Sequence, residues 1–234
     1  MAIAGARNVR ATMVESLQPD PELEAAFWHR GKQRVVGLDE VGRGCLAGPV
    51  VAAACVLPPS FVPPLPVRDS KQLTRAQREL LAQVILEHAI AVTIGAASHR
   101  EVDRLNVRRA TALAMARALR RLGEWDHVFY DGLPMPEFSS PCFTAVVNGD
   151  ERCLSIACAA IVAKVTRDRL MARLARRFPF YGWERNAGYG TAEHLAALEA
   201  QGVSPFHRRT FSPVGLSLNA THPRQSCSDQ DLER

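Results

Sequence analysis

Four carboxylates stand where chemistry could be done. Asp39 and Glu40 lie side by side in VVGLDEVGRGCLAGPVVAAACVL, residues 35–57, and are the only acids in that apolar stretch. A carboxylate among residues that should bury is unfavourable unless it is paired, hydrogen-bonded or bound to a cation. Asp131 ends the run HVFYD just before Gly132, and Asp150 follows Asn148-Gly149. A glycine beside an acid lets backbone approach a ligand closely. Four acids without clustered histidine or cysteine suit hard, oxygen-preferring cations such as Mg2+ or Mn2+. Such ions commonly serve phosphates, two of them stabilising the attacking and leaving oxygens of a displacement. Asp131 or Asp150 alone would be ordinary turn chemistry. The apolar flanks of Asp39-Glu40 are what give the set its weight. One geometric demand follows. Successive strand residues point to opposite faces, so both acids reach one site only if the backbone leaves regular strand there, as Gly42 and Gly44 would permit.

The elements that must position these acids alternate in type. Asp20-Pro21 and Gly31 bracket a short helix. Val35–Leu38 and Val50–Leu57 read as strands, and their short glycine-containing connection predicts antiparallel pairing. The proline-rich loop from Pro58 to Asp69 delivers Asp69-Ser70-Lys71 to a helix with a Thr74/Gln77 capping box and a stripe of Leu80, Leu81, Val84 and Ile85. A strand at Ala91–Ala97 follows, then a Ser98/Glu101 capping box opening a short helix. Next comes a helix from Val107 to Leu122 with Ala110, Ala114 and Ala118 on one face and Gly123 as its stop. Strands at His127–Asp131 and Cys142–Val147 precede a basic helix, roughly Ser155 to Phe178, stopped by Pro179. Thr191–Ala200 is a last helix. Residues 1–18 read as a loose tail, 19–214 as one domain without an internal linker, and 215–234 as a polar tail. The pattern is α/β.

Composition narrows the class. The 234 residues are 47% hydrophobic and 23% charged, which describes an ordinary globular protein large enough to bury its own core. A net charge of +5 is a mild bias toward anionic partners. Much of it sits in the basic helix, where Lys164, Arg167, Arg169, Arg173, Arg176 and Arg177 face Asp168 alone. The six cysteines show no metal-ligand spacing, and no apolar run is long enough to span a bilayer. A reducing cytoplasm is the expected compartment.

Taken in series, GLDEVGRG at 37–44, DSKQL at 69–73, LNVRRAT at 105–111, YDG at 130–132, VVNGD at 146–150, AKVTRD at 163–168, GYGT at 188–191 and HRRTFSPV at 207–214 resemble bacterial ribonuclease HII in order and spacing. The resemblance covers roughly residues 33–214. It implies a ribonuclease H-like fold, a five-stranded mixed sheet flanked by helices, with a helical C-terminal extension. It also implies a monomeric, metal-dependent endonuclease whose partners are RNA–DNA hybrids and duplex DNA containing ribonucleotides. Such an enzyme cleaves the RNA strand of hybrids and nicks 5′ to a single embedded ribonucleotide, leaving 5′-phosphate and 3′-hydroxyl ends. By motif, Asp39, Glu40, Asp131 and Asp150 would hold two Mn2+ or Mg2+ ions. Gly42, Arg43 and Gly44 would sense the ribonucleotide 2′-hydroxyl, the group that separates RNA from DNA. Tyr189 would pack on the following deoxyribose. Lys71, Lys164 and Arg43 would contact phosphates, with Arg208 and Arg209 as weaker candidates.

Two positions depart from the family pattern: Ala187 stands where many relatives carry lysine, and Ala160 where serine is common. Neither is a carboxylate, so both bear on substrate affinity. Ribonuclease HIII is a rival within the class, set aside because it usually lacks GRG and carries an additional N-terminal domain. A non-catalytic hybrid-binding module on the same fold is the alternative from another class. A phosphate cradle at GRGCLAG would need a helix directly after the glycines, and Pro49 with the β-branched run beyond it reads as strand.

Overall fold

The structure is a computed structural model and describes residues 19, 21–67 and 73–221. Asp20, Lys71 with most of its motif, and both terminal tails up to 18 and from 222 lie outside the described residues. Those described fall into two compact units. Residues up to Arg43 and from Pro49 to Leu170 make the first; Gly44–Gly48 and Met171 onward make the second.

The first unit is built on a five-stranded sheet of order β3-β2-β1-β4-β5. β1 is Val35–Val41, β2 Val50–Val56, β3 Ala91–Ala97, β4 His127–Asp131 and β5 Phe143–Val146. β1, β2 and β3 pair antiparallel, while β1–β4 and β4–β5 are parallel. The antiparallel pair β1–β2 is the one expected from its short connection. Parallel neighbours need crossovers, which helices supply. α1 is Glu22–Trp28, α2 Arg75–His88, α3 His99–Leu105 and α4 Val107–Leu122. α5, Gly149–Arg152, and α6, Leu154–Arg177, follow β5.

Helices cover both faces of the sheet. Ala53, Cys55, Val92 and Ile94 pack with α2 and the start of α6 on one face. On the other, a Cβ at Gly95 would come 2.0 Å from the Ala114 carbonyl oxygen of α4, so glycine permits that contact. Ala110, Ala114 and Ala118 are all fully buried there. The capping boxes at Thr74/Gln77 and Ser98/Glu101 both form.

Several details differ from the sequence expectation. Leu80 is half exposed, and the buried face of α2 is Leu81, Ala82 and Ile85. α5 is a single turn, too short to carry a periodic signal. In the second unit, α7 is Trp183–Asn186, α8 Ala192–Gln201 and α9 Ser212–Thr221. α9 runs beyond Val214, where the sequence suggests a polar tail. The described helices include none long and apolar enough to cross a membrane.

Candidate active site

The first unit gathers its acids at one end of the β1–β4 ladder. That ladder closes with Leu38 opposite Tyr130, and the next residue on each strand is an acid, Asp39 and Asp131. Asp131 is pinned by Gly149 at the head of α5, whose amide donates to Asp131 Oδ1 at 2.7 Å. The following residue is Asp150. A Cβ at Gly149 would lie 2.7 Å from Ile156 Cδ1 and 3.2 Å from Asp131 Oδ1, so a larger residue would have to displace the tips of both side chains. Asp39 Oδ1 accepts from the Glu40 amide at 2.7 Å.

The strand does not bend to align Asp39 with Glu40. Both stay in register, opposite Ala53 and Ala52 of β2, so the expected departure from regular geometry is absent. Asp39 lies on the face where Ala53 meets α6, and Glu40 on the face where Gly95 meets α4. The two acids therefore leave β1 on opposite faces, yet the charge of Asp131 raises both, so a regular strand still brings each of them beside Asp131 at this end of the sheet. β1 runs on to Val41 beyond its last partner on β4, which leaves that flank of the strand open toward Asp131.

Electrostatics tie the group together. Burial pushes the Asp39 carboxyl well above its ordinary range, and the charges of Glu40, Asp131 and Asp150 push it further. Glu40 is also raised by burial; Arg43 opposes this, and Asp131 adds to it. Glu40 Oε1 receives the Arg43 guanidinium at 3.2 Å, while Glu40 Oε2 is buried without a hydrogen-bond partner. As the side chains lie, no three His, Cys, Asp or Glu among the described residues are grouped closely enough to hold one ion. The acids form a neighbourhood of mutually repelling carboxylates with one orphaned oxygen. A divalent cation fits that donor chemistry, since it would relieve the repulsion and give Glu40 Oε2 a partner.

Beyond β1 the chain turns through Gly42, Arg43 and Gly44. Gly42 has φ +93°, and a Cβ there would lie 2.2 Å from Arg167 Nε, so no other residue fits. Arg167 is itself fully buried, and its Nε donates to the Pro49 carbonyl at 2.8 Å. Sequence reasoning counted Arg167 in a basic face; it is instead an internal brace for this turn. Lys164 is half-buried and paired with Asp168 at 2.9 Å. The exposed cations of α6 are Arg169, Arg173, Arg176 and Arg177. Arg43 keeps 51% of its side chain exposed despite its bond to Glu40.

In the second unit Tyr189 is 40% exposed. Ala187, one of the two departures, is buried in left-handed backbone with φ +48°. Arg208 is fully buried, its Nε donating to the Gly48 carbonyl and its guanidinium lying 5.1 Å from the Phe211 ring centre. It is thus a structural residue and no surface phosphate contact, whereas Arg209 is exposed.

The model of the family described as Ribonuclease HII matches residues 36–214. A protein named Ribonuclease HII from Thermosynechococcus vestitus is 57% identical over 80% of this chain and 88% of its own length. Another so named, from Ruegeria pomeroyi, is 53% identical over 84% of each chain. The chain belongs to the ribonuclease HII family. Ribonuclease HII membership makes it an endoribonuclease that degrades RNA in RNA–DNA hybrids. Among solved structures, the ribonuclease H2 of Pyrococcus horikoshii OT3 is similar at TM-score 0.71 and 25% identity, covering 80% of this chain and 98% of that one. The sheet with helices on both faces is thus a ribonuclease H-like fold, as the motifs implied.

Proposed function

We propose that this enzyme also nicks duplex DNA 5′ to a single embedded ribonucleotide, with Asp39, Glu40, Asp131 and Asp150 holding two divalent ions, Mg2+ or Mn2+. The observation that carries the reading is the meeting of Asp39 and Asp131 at the end of the β1–β4 ladder, with Gly149 bonded to Asp131 just before Asp150, beside a glycine turn. When bound, such ions would activate water for attack on phosphorus and stabilise the departing 3′-oxygen. The chain's own residues do the rest. Burial of Asp39 and Glu40 keeps bulk water from the carboxylates, and the Gly149 amide orients Asp131. At Gly42 and Gly44 the backbone can meet the ribonucleotide sugar without side chains in the way. Arg43 has the exposure to reach a phosphate while its other contact steadies Glu40. Lys164 and, outside the described residues, Lys71 are further phosphate contacts, and Tyr189 packs on the next deoxyribose.

The exposed arginines of α6 add salt-sensitive attraction to the duplex. Cytoplasmic residence agrees with the absence of disulfides at Cys45, Cys55, Cys142, Cys153 and Cys158 among the described residues. The test is a labelled DNA duplex with one ribonucleotide, incubated with Mg2+ or Mn2+ beside an all-DNA control. Nicking 5′ to the ribonucleotide, abolished by EDTA, is the expected result. Binding without nicking under either metal, while a uniform hybrid is still cleaved, would instead confine the enzyme to longer RNA tracts.

A further inference from the structure

The second unit holds a buried polar cluster that the proposed chemistry leaves unused. His194 and His207 are buried, with their Nε2 atoms 3.0 Å apart. Their proton positions follow from donors that cannot be reversed. The Ser204 amide lies 2.9 Å from His207 Nδ1 and can only donate, so that nitrogen accepts and carries no proton. Neutral His207 is therefore protonated at Nε2, which donates to His194 Nε2. Trp183 Nε1–H, also a pure donor, reaches the same His194 nitrogen at 3.1 Å. His194 Nε2 is thus an acceptor, its proton is on Nδ1, and Nδ1 donates to the Tyr189 carbonyl at 2.9 Å. Every ring nitrogen has one role, and the series ends on Tyr189.

The same cluster is laced to the segment that follows the glycine turn. The Leu46 amide donates to the Gly188 carbonyl at 2.8 Å, and the Arg208 amide to the Leu46 carbonyl at 2.8 Å. Ala47 and His207 form a β-bridge. A Cβ at Gly188 would lie 2.8 Å from the Ala47 carbonyl oxygen, so the approach is as close as glycine allows. Tyr189 is consequently held on both sides, through Gly188 to Leu46 and through His194 and His207 to Ala47.

We propose that His194 and His207 are positioning residues that fix Tyr189 at a set offset from the Gly44–Gly48 segment. They thereby gauge the spacing of the two successive sugars at an RNA–DNA junction. This rests on the reading that Gly44 and Tyr189 meet adjacent sugars. Neither histidine touches substrate; each acts through Tyr189. Their loss therefore lowers selectivity for the junction over a uniform hybrid and leaves phosphodiester hydrolysis itself in place.

Two measurements on the full chain test this. Side-chain 15N NMR at neutral pH should show His194 protonated at Nδ1 and His207 at Nε2; the reverse tautomers, or a charged ring, overturn the proposal. In the second, the ratio of cleavage of a one-ribonucleotide duplex to that of a uniform hybrid is read in Tyr189→Ala, His194→Leu, His194→Asn and the Tyr189→Ala/His194→Leu pair. Tyr189→Ala and His194→Leu should each lower the ratio by roughly tenfold or more, given how sharply rates respond to misplacement. The double variant should fall no further than Tyr189→Ala alone. His194→Asn, whose amide N–H can replace Nδ1–H toward the Tyr189 carbonyl, should recover most of the ratio even if His194→Leu fails to fold. Additive losses, or no rescue by asparagine, overturn the positioning role. An unchanged ratio in Tyr189→Ala overturns the underlying reading of Tyr189, and the two failures are thereby told apart.

Discussion

The carboxylates at the end of β1 and β4 and the histidines of the second unit are both buried clusters of titratable groups, finished to opposite degrees. Around Asp39 the neighbours repel, and Glu40 Oε2 has no partner. Around His194 each ring nitrogen has a donor or acceptor of the right kind. A satisfied network rigidifies what it touches, and an unsatisfied one is held at the expense of stability by the fold around it. The difference separates a cluster whose chemistry suits the uptake of a cation from one that only holds its neighbours in place.

Asp39→Asn should break the comparison most deeply. Cleavage should fall on the order of a thousandfold or more, as for removal of a group that acts in a catalytic unit. Stability should not fall with it, and should rise by about 0.5–2 kcal/mol because a repelled charge is gone. Nicking kinetics and denaturant melts check both halves. Added Mg2+ should raise the melting temperature of the parent protein and leave that of Asp39→Asn nearly unchanged. Gly42→Ala should lose about 2–4 kcal/mol, combining positive-φ strain with overpacking against Arg167. A melt at parental temperature would refute the brace assigned to Arg167.

His194→Leu should lose about 1–3 kcal/mol, since it orphans the Trp183 and His207 donors. This is the reverse of Asp39→Asn, with stability down and hydrolysis of hybrids retained. The two clusters also respond oppositely to acid. Burial lowers His194, so below about 6.5 the unfolded chain takes up protons that the folded chain refuses, and stability falls as pH drops. Asp39 and Glu40 are raised, so the folded state takes protons first and their contribution improves as pH falls. Melting curves between pH 7 and 5 should fall less steeply in His194→Leu and more steeply in Asp39→Asn than in the parent. The smallest effect belongs to a surface pair outside both clusters. Glu101, bonded to Arg117 and Ser98, is lowered to about 2, so its stabilisation is full above 4.5 and lost as pH falls through 2. Glu101→Gln should lose no more than about 1 kcal/mol at neutral pH, measured by chemical melt.

What the sequence made legible was what neighbours in sequence decide. The capping boxes at Thr74 and Ser98 bond within three residues, so the pattern contains both partners. Asp39 and Glu40 announce themselves by their apolar surroundings. Roles set by distant partners were hidden. Arg167 looks like one cation of a basic face, yet its partner carbonyl at Pro49 is 118 residues away. Glu24 looks like a solvated first-turn acid of α1. It is buried, and its Oε1 accepts from the Ser155 amide at 2.8 Å and hydroxyl at 2.9 Å, capping α6 from 131 residues upstream. Leu80 matches the apolar period of α2 but lies at the margin of its buried face, where periodicity alone cannot say how far the core extends. The histidine pair gave no signal beyond two ordinary histidines 13 residues apart.

The lacing of Gly44–Gly48 into the second unit also bears on synthesis. Arg208 Nε reaches the Gly48 carbonyl across 160 residues of chain. Residues 44–48 leave the ribosome early and must wait for these partners until residues 188–208 emerge. Nascent chains stalled before residue 208 should therefore be cut by protease within 44–48, and chains stalled well beyond it should resist.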